Sequence, residues 1–239
     1  MSRLTLVRHG QARAFSPDSD RLSEAGESQA RKLGAHWAAL GVRWSEVCCG
    51  TLRRQRQTAE LIGESYRKAG LAYPAPRTDF RWNEYDSGGV LSRVAPVLAA
   101  REPEFAALEA EFQRYRDTPE ANRHFQRMFE HLTRMWIAGE VDAPGVENWL
   151  SFQTRVIEGL RHVLGEPGER RNVLVVSSGG PIATVVQTVV MAPSAMALEL
   201  NWRIRNSSVT EFLFTRPGRV TLDLFNATPH LAAEEITYR

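Results

Sequence analysis

The chain has 239 residues, of which 43% are hydrophobic and 24% are charged, and its formal net charge is +2. This composition is that of a soluble globular protein. No apolar run is long enough to cross a membrane, and the N-terminus has no signal-peptide core because Arg8 and His9 interrupt its first apolar stretch. The small charge excess argues neither for nor against nucleic acid, and we expect neither a nucleic-acid nor a membrane partner.

The two cysteines, Cys48 and Cys49, are neighbours in the chain. A vicinal pair is a poor candidate for a disulfide and offers too few ligands for a zinc site. Free cysteines are usual in a reducing compartment, so we expect a cytoplasmic protein. The sequence leaves the oligomeric state open.

The first strand and the first helix are clear in the hydrophobic pattern. Leu4 to Val7 form a short apolar run, which predicts a first, buried strand over residues 3–8. Ser23 can cap a helix that continues to about Leu40, because its apolar residues recur at helical spacing.

A second strand, a second helix and an irregular segment follow. Residues 47–49 predict a short strand that a glycine ends, and Thr51 can cap a helix from Arg53 to about Lys68. Residues 71–78 contain two prolines, which predicts a loop or an edge strand.

The middle of the chain is predicted to be helical over residues 93–138, with breaks near Pro103 and Pro119. This stretch, at about 90–140, is an insert between core elements and forms either a cap over a site or a plain helical layer. The sequence shows no internal repeat and no clear linker, so we expect residues 1–239 to form a single domain.

The last part of the chain again alternates between strands and helices. It predicts a helix over about 146–164, a buried strand over 172–177, a helix up to about 191, and a hairpin of strands 208–214 and 219–225 around Pro217 and Gly218. This order of elements predicts an α/β fold in which a mainly parallel sheet is flanked by helices on both faces.

Arg8 and His9 directly follow the apolar run Leu4 to Val7 of the first predicted strand, and Gly10 ends that strand. In open α/β sheets, ligands bind outside the carboxyl ends of the strands. An imidazole at that edge can act as a nucleophile, and an arginine can bind an anion through two hydrogen bonds of its guanidinium group. The pattern predicts transfer of a phosphoryl group through His9.

Four motifs together resemble the signatures of the histidine phosphatase superfamily, also called the phosphoglycerate mutase-like family. They are Arg-His-Gly at 8–10, Arg-Leu-Ser-Glu-Ala-Gly at 21–26 with Gln-Ala at 29–30, Leu-Arg-Arg-Gln-Arg-Gln-Thr-Ala at 52–59, and Gly-Val-Glu at 145–147 followed by Arg155. The resemblance spans about residues 3–215 and is weakest between 86 and 140. It implies a phosphoglycerate mutase-like fold.

The resemblance also implies roles for individual residues. His9 would accept the phosphoryl group, and Arg8 and Arg54 would bind its oxygens; the register of the motif selects Arg54 over Arg53 and Arg56. Phosphoryl transfer depends mainly on positioning and on neutralising charge on the equatorial oxygens. Two guanidinium groups can supply that charge, so we expect no metal ion and no cofactor.

An acid is expected in the segment from Arg81 to Gly88, which resembles the family segment that carries one. A carboxyl group beside a phosphate can protonate the leaving-group oxygen. Glu84 is the first candidate for this acid, and Asp86 is its rival.

The chain departs from the family pattern at Ser178, where the family usually has a histidine in Val-Ser-His-Gly-Gly. A serine hydroxyl still donates one hydrogen bond but carries no charge, and the loss of one preorganised donor costs about 10²–10³ in rate. Gly179 and Gly180 could still offer backbone N–H groups to an anion at a helix N-terminus. If Ser178 is only a weaker donor, Ser178→His should modestly raise activity, which we expect; if the site is rebuilt around a small residue, activity should fall.

The leading hypothesis is hydrolysis of a small phosphomonoester through a phosphohistidine on His9. The alternative is a catalytically weak protein on the same scaffold that binds phosphate or has a regulatory role. Mutase activity is disfavoured. Mutases usually continue Arg-His-Gly with a glutamate or glutamine, a serine and, four residues further on, an asparagine, whereas these positions here are Gln11, Ala12 and Phe15, so the small polar groups are absent. The sequence leaves the substrate open.

Overall fold

The computed structural model describes residues 1–13, 18–165, 170–216 and 219–238. Phe15 and the predicted turn at Pro217 and Gly218 lie outside these ranges. The chain divides into two compact units, one formed by Met1–Glu84 and Arg155–Arg239 and the other by Tyr85–Thr154.

The first unit is built on a six-stranded sheet with the strand order β3-β2-β4-β1-β5-β6. The strands are β1 (Ser2–Arg8), β2 (Glu46–Cys49), β3 (Arg77–Thr78), β4 (Asn172–Ser177), β5 (Val209–Arg216) and β6 (Arg219–Ala227). β1 to β4 pair in parallel, whereas β5 runs antiparallel to both β1 and β6. The prediction of a mainly parallel α/β sheet is confirmed.

Helices occur in both units of the chain. In chain order they are α1 (Glu24–Ala39), α2 (Arg53–Lys68), α3 (Ser87–Gly89), α4 (Ala95–Arg101), α5 (Pro103–Tyr115), α6 (Ala121–Ala138), α7 (Trp149–Gly165), α8 (Gly179–Val189) and α9 (Met196–Arg203). In the described ranges, no helix is both long and apolar enough to span a membrane.

Both faces of the central strands are buried. Val7, Leu174 and Val176 belong to a core cluster with side chains of α1 and α2, such as Leu33 and Ile62. The alternate residues of the same strands are also inaccessible to solvent: Leu4, Leu6, Val173 and Val175. A strand that is buried on both faces has a nearly continuous apolar sequence, and β1 and β4 are evident in the sequence for this reason.

Of the predicted helix starts, the cap at Ser23 is confirmed, the cap at Thr51 is wrong although α2 begins at Arg53 as predicted, and α7 begins later than predicted. Ser23 caps α1 by accepting the N–H of Gly26 at 3.1 Å. The cap of α2 is Leu52 and not Thr51, whose hydroxyl accepts instead from the Asn83 amide at 2.7 Å. The helix predicted from residue 146 begins at Trp149, because the Asn148 carboxamide oxygen accepts the N–H of Ser151 at 2.9 Å.

The strand β3 and the helix α9 are both short. Residues 71–78 include an edge strand of only two residues, β3, which is one of the two predicted alternatives. α9 was not predicted, because its eight residues are too few to show a helical period above the background.

The second unit is helical, as predicted for residues 93–138. A break separates α4 from α5 at Glu102, directly before Pro103, and Pro119 lies between α5 and α6. The interior of this unit is aromatic: the Trp136 ring lies 5.2 Å from that of Tyr85 and 5.5 Å from that of Trp149, measured between centroids. The predicted insert at 90–140 falls within the 85–154 unit.

Candidate active site

The ends of β1 and β4 bring His9 and Ser178 to the same edge of the sheet. Arg8 and Ser177 are register partners at the ends of these parallel strands. The N–H of His9 donates to the Ser177 carbonyl at 2.9 Å, so the segments that follow β1 and β4 leave the sheet side by side. This is the carboxyl edge of the parallel strands, where α/β sheets bind ligands.

Two contacts define the protonation of His9. Its Nδ1 lies 2.7 Å from the Gly10 carbonyl oxygen, and the Arg54 Nε–H donates to its Nε2 at 3.1 Å. A carbonyl only accepts and a guanidinium only donates, so Nδ1 carries the proton and Nε2 holds a lone pair. Burial of His9, a residue that is only 6% exposed, lowers its pKa well below 6.5. The charges of Arg54 and Arg8 lower this pKa further, whereas the hydrogen bond to the Gly10 carbonyl raises it.

His9 is therefore expected to remain neutral at pH values where an unperturbed histidine, with a pKa near 6.5, becomes charged. The measurement is ¹⁵N NMR of histidine-labelled protein between pH 5 and 8, with the His9 signals assigned from a His9→Gln variant. We expect the Nδ1–H tautomer to persist at pH 6. A His9 signal that titrates at or above pH 6.5, or an Nε2–H tautomer, would contradict the assignment.

Arg54 reaches His9 from the first turn of α2. A second contact orients its guanidinium group: Nη1 donates to Asp20 Oδ1 at 2.7 Å. The other oxygen of Asp20 accepts the backbone N–H of Arg53 at 2.8 Å, so one carboxylate ties the start of α2 to the Arg54 side chain. Of the three arginines in the motif, Arg54 contacts His9, whereas the Arg53 guanidinium pairs with Asp18 at 3.0 Å.

Arg8 lies near His9, but its Nη1 is bound to main-chain oxygens. It donates to the carbonyls of Ile204 and Tyr238, the latter at 2.5 Å. Its charge is still close enough to lower the pKa of His9. The Ile204 and Tyr238 carbonyls therefore hold the side chain of the last residue of β1.

Glu84 lies at the N-terminus of α8. Its Oε2 accepts the backbone N–H of Gly180 at 3.1 Å, so one of the N–H groups expected to bind an external anion already binds the Glu84 carboxyl group. The rival acid, Asp86, caps α3 in the second unit by accepting the Gly89 N–H at 2.8 Å. Gly179 is the first residue of α8, and a Cβ there would come within 2.3 Å of the Asn201 side-chain oxygen.

Ser178 is fully buried and held by a residue that was not identified as a candidate. The Gln55 Nε2–H group donates to Ser178 Oγ at 2.9 Å, and Nε2 also donates to the Trp82 carbonyl at 3.0 Å. The neighbouring Ser177 hydroxyl donates to the same carbonyl at 2.7 Å. Gln55 occupies a variable position inside the α2 motif, so the sequence gives no sign of its contact with position 178.

Every predicted site residue except the rival acid Asp86 belongs to the first unit. Arg54 contacts His9, and His9 is adjacent to the end of β4. Ser178 contacts Gln55 in the first turn of α2, and Glu84 contacts Gly180 at the start of α8. No cluster of three or more histidine, cysteine, aspartate or glutamate side chains that could hold a metal ion is found in the part of the chain that the structure describes.

Comparisons with known proteins show which family and which fold the chain resembles. The sequence profile of the histidine phosphatase superfamily (branch 1) matches residues 4–136 and 107–228. A mitochondrial serine/threonine-protein phosphatase Pgam5 of Drosophila sechellia is 34% identical over 61 residues, which are 25% of this chain and 21% of that protein. The chain thus spans about a fifth of the length of this curated relative.

Two solved structures share the fold at low identity. Bacillus stearothermophilus YhfR has a TM-score of 0.66 and 19% identity, with 96% of this chain and 99% of that chain covered. A mycobacterial glucosyl-3-phosphoglycerate phosphatase, solved with inorganic phosphate, has a TM-score of 0.58 and 22% identity, with 97% of this chain and all of that chain covered. With the profile match over most of its length, the chain belongs to the histidine phosphatase superfamily.

Proposed function

We propose that this protein hydrolyses a small phosphomonoester through a phosphohistidine intermediate on His9. The observation that carries the proposal is the neutral, buried imidazole whose Nε2 lone pair faces the Arg54 guanidinium. A neutral imidazole is the nucleophilic form, and an arginine beside it can bind the phosphoryl oxygens in a fork. The superfamily and its phosphatase members support the same class of reaction.

In the first step, Arg54 turns its N–H groups from His9 to the phosphoryl oxygens. Nε2 of His9 then attacks phosphorus, and the bond from phosphorus to the ester oxygen breaks. The Nδ1–H group remains on the Gly10 carbonyl, which holds the ring in place as positive charge develops. Glu84, in its carboxylic acid form, gives its proton to the departing oxygen.

In the second step, Glu84 acts as the base. Its carboxylate takes a proton from a water molecule, the water oxygen attacks phosphorus, and the N–P bond breaks to return neutral His9 and free phosphate. Arg54 and Arg8 neutralise the equatorial oxygens in both steps, so the scheme needs no metal ion. We place this activity in the cytoplasm, because both cysteines are free thiols.

A second candidate, a phosphate-binding or regulatory protein with little turnover, is favoured by one observation. Ser178 contributes a neutral hydroxyl at the strand end where the family resemblance implies an imidazole. A site with Arg8 and Arg54 but with a neutral donor in place of an imidazole could bind an oxyanion and react slowly.

The test is turnover of p-nitrophenyl phosphate by the purified protein in the presence of EDTA, together with the binding of vanadate. The proposal predicts release of nitrophenolate and phosphate in EDTA and inhibition by vanadate. Vanadate binding without turnover would support the second candidate, and turnover that EDTA abolishes would refute the metal-free scheme.

A further inference from the structure

Gln55 is buried completely in the first turn of α2, one residue after Arg54. Its carboxamide oxygen accepts the N–H of Leu52 at 3.2 Å, and its nitrogen donates to the Trp82 carbonyl at 3.0 Å. A backbone N–H only donates and a backbone carbonyl only accepts. These two partners fix which end of the amide is nitrogen.

The orientation of Gln55 determines how Ser178 can act. Because the Gln55 nitrogen only donates, Ser178 Oγ is the acceptor in their 2.9 Å contact and keeps its own proton for another group. In the described ranges of the chain, that proton has no acceptor. A buried hydroxyl proton without an acceptor is costly, and His9 and the start of α8 lie beside it. The oxygens of a bound phosphoryl group would satisfy it, and because Ser178 is fully buried, they reach it only when the side chains that cover it move aside as the ligand binds.

The same contact occupies the space around position 178. Ser178 has no exposed surface, and the Gln55 amide nitrogen lies 2.9 Å from its hydroxyl oxygen. On its other side, the Gln55 side chain is packed so closely that a Cβ at Gly50 would come within 1.9 Å of its oxygen. The Gln55 side chain therefore has little space into which it can move, and an imidazole at position 178 would clash with it.

We propose that Gln55 is a positioning residue that fixes the Ser178 hydroxyl as a hydrogen-bond donor to the phosphoryl group. The two residues form one unit of the anion site, with Ser178 touching the substrate and Gln55 acting through it. This inference rests on the proposed phosphatase function. It also reverses the expectation that Ser178→His raises activity, because the space that an imidazole needs is filled by Gln55.

A double-mutant cycle tests the coupling. The variants are Gln55→Met, which keeps the length of the side chain but cannot donate, Ser178→Ala and the combination of both. For each folded variant, kcat and KM are measured with p-nitrophenyl phosphate, and vanadate binding is measured separately. We expect Ser178→Ala to lower kcat/KM by about 10²–10³ and to weaken vanadate binding. We expect Gln55→Met to lower kcat/KM in the wild-type background and to have no further effect once Ser178 is alanine.

Gln57→Met is the matched control, because Gln57 lies two residues further along α2 and its oxygen accepts the N–H of Leu22 at 3.0 Å. Any effect of Gln57→Met should be the same with serine or alanine at position 178. Equal losses from Gln55→Met in both backgrounds would overturn the inference, because they would show that Gln55 acts independently of Ser178. Gln55→Ala provides the same cycle if the methionine variant does not fold.

Combining Ser178→His with Gln55→Ala independently tests whether the Gln55 side chain fills the space beside position 178. Ser178→His alone should lower kcat/KM, and Gln55→Ala should partly restore it in the Ser178→His background while lowering it in the wild type. A gain of activity from Ser178→His with Gln55 intact would overturn the inference. A wild-type protein that neither turns over the ester nor binds vanadate would instead refute the proposed function, so the two failures are distinguishable.

Discussion

His9→Ala is expected to abolish the turnover of aryl phosphates. Alanine removes the atom that forms the covalent bond to phosphorus, and loss of the nucleophile from an enzyme that works as one catalytic unit costs on the order of 10⁶ in kcat. The measurement is steady-state release of nitrophenolate by wild type and variant at equal concentration, with circular dichroism and thermal melting to establish that the variant is folded.

The matched control is His162→Ala, which removes an exposed histidine from the last turn of α7. It should retain wild-type turnover, because nothing places His162 in the site. Turnover of a folded His9→Ala protein at a rate close to that of wild type would refute His9 as the phosphate acceptor.

Arg54→Ala is the second substitution with a large expected effect. An arginine that stabilises the transferring phosphoryl group is worth about 10³–10⁵ in kcat, so we expect a loss of that order. Arg54→Lys should recover only part of this loss, because lysine keeps the charge but cannot bind two oxygens in a fork. The readouts are kcat, KM and the affinity for vanadate.

Arg53→Ala is the neighbouring control for this prediction. Arg53 precedes Arg54 in α2, but its guanidinium is half exposed and pairs with Asp18. Its removal should change kcat/KM by less than about tenfold, since exposed ion pairs contribute little. Equal losses from Arg53→Ala and Arg54→Ala would refute the specific role of Arg54.

The Arg54→Ala variant carries a further, independent signature. Because the Arg54 charge lowers the pKa of His9, its removal should raise that pKa, although burial and Arg8 still hold it down. The same ¹⁵N NMR titration reports this shift without any need for turnover. A pKa of His9 that does not rise would mean that the contact between the two side chains is not formed in solution.

Those parts of the site that local patterns encode could be predicted from the sequence. A doubly buried strand reads as an apolar run, and Arg8 and His9 follow such a run directly. The register of the α2 motif selected Arg54, the arginine that contacts His9. Each of these predictions depends on neighbours in the chain, and the sheet then brings the strand ends together by its parallel register.

The parts of the site that could not be predicted depend on contacts between residues that are far apart in sequence. Asp20 holds Arg54 from 34 positions away, and Gln55 holds Ser178 from 123 positions away. A lone aspartate in a loop and a glutamine on a helix are both ordinary surface residues by pattern, so nothing local marks them. The wrong cap at Thr51 has the same cause, because the competing partner, Asn83, lies 32 positions further along the chain.

The most direct test of the central claim is to trap phosphate on His9 during turnover. Wild-type protein is mixed with ³²P-labelled p-nitrophenyl phosphate, whose good leaving group favours accumulation of the intermediate, and is quenched in alkali within milliseconds. The account predicts protein-bound label that survives alkali, is released by acid, maps to the peptide containing His9 and is absent from His9→Ala. Active protein that carries no such label, or carries it on another residue, would contradict the account.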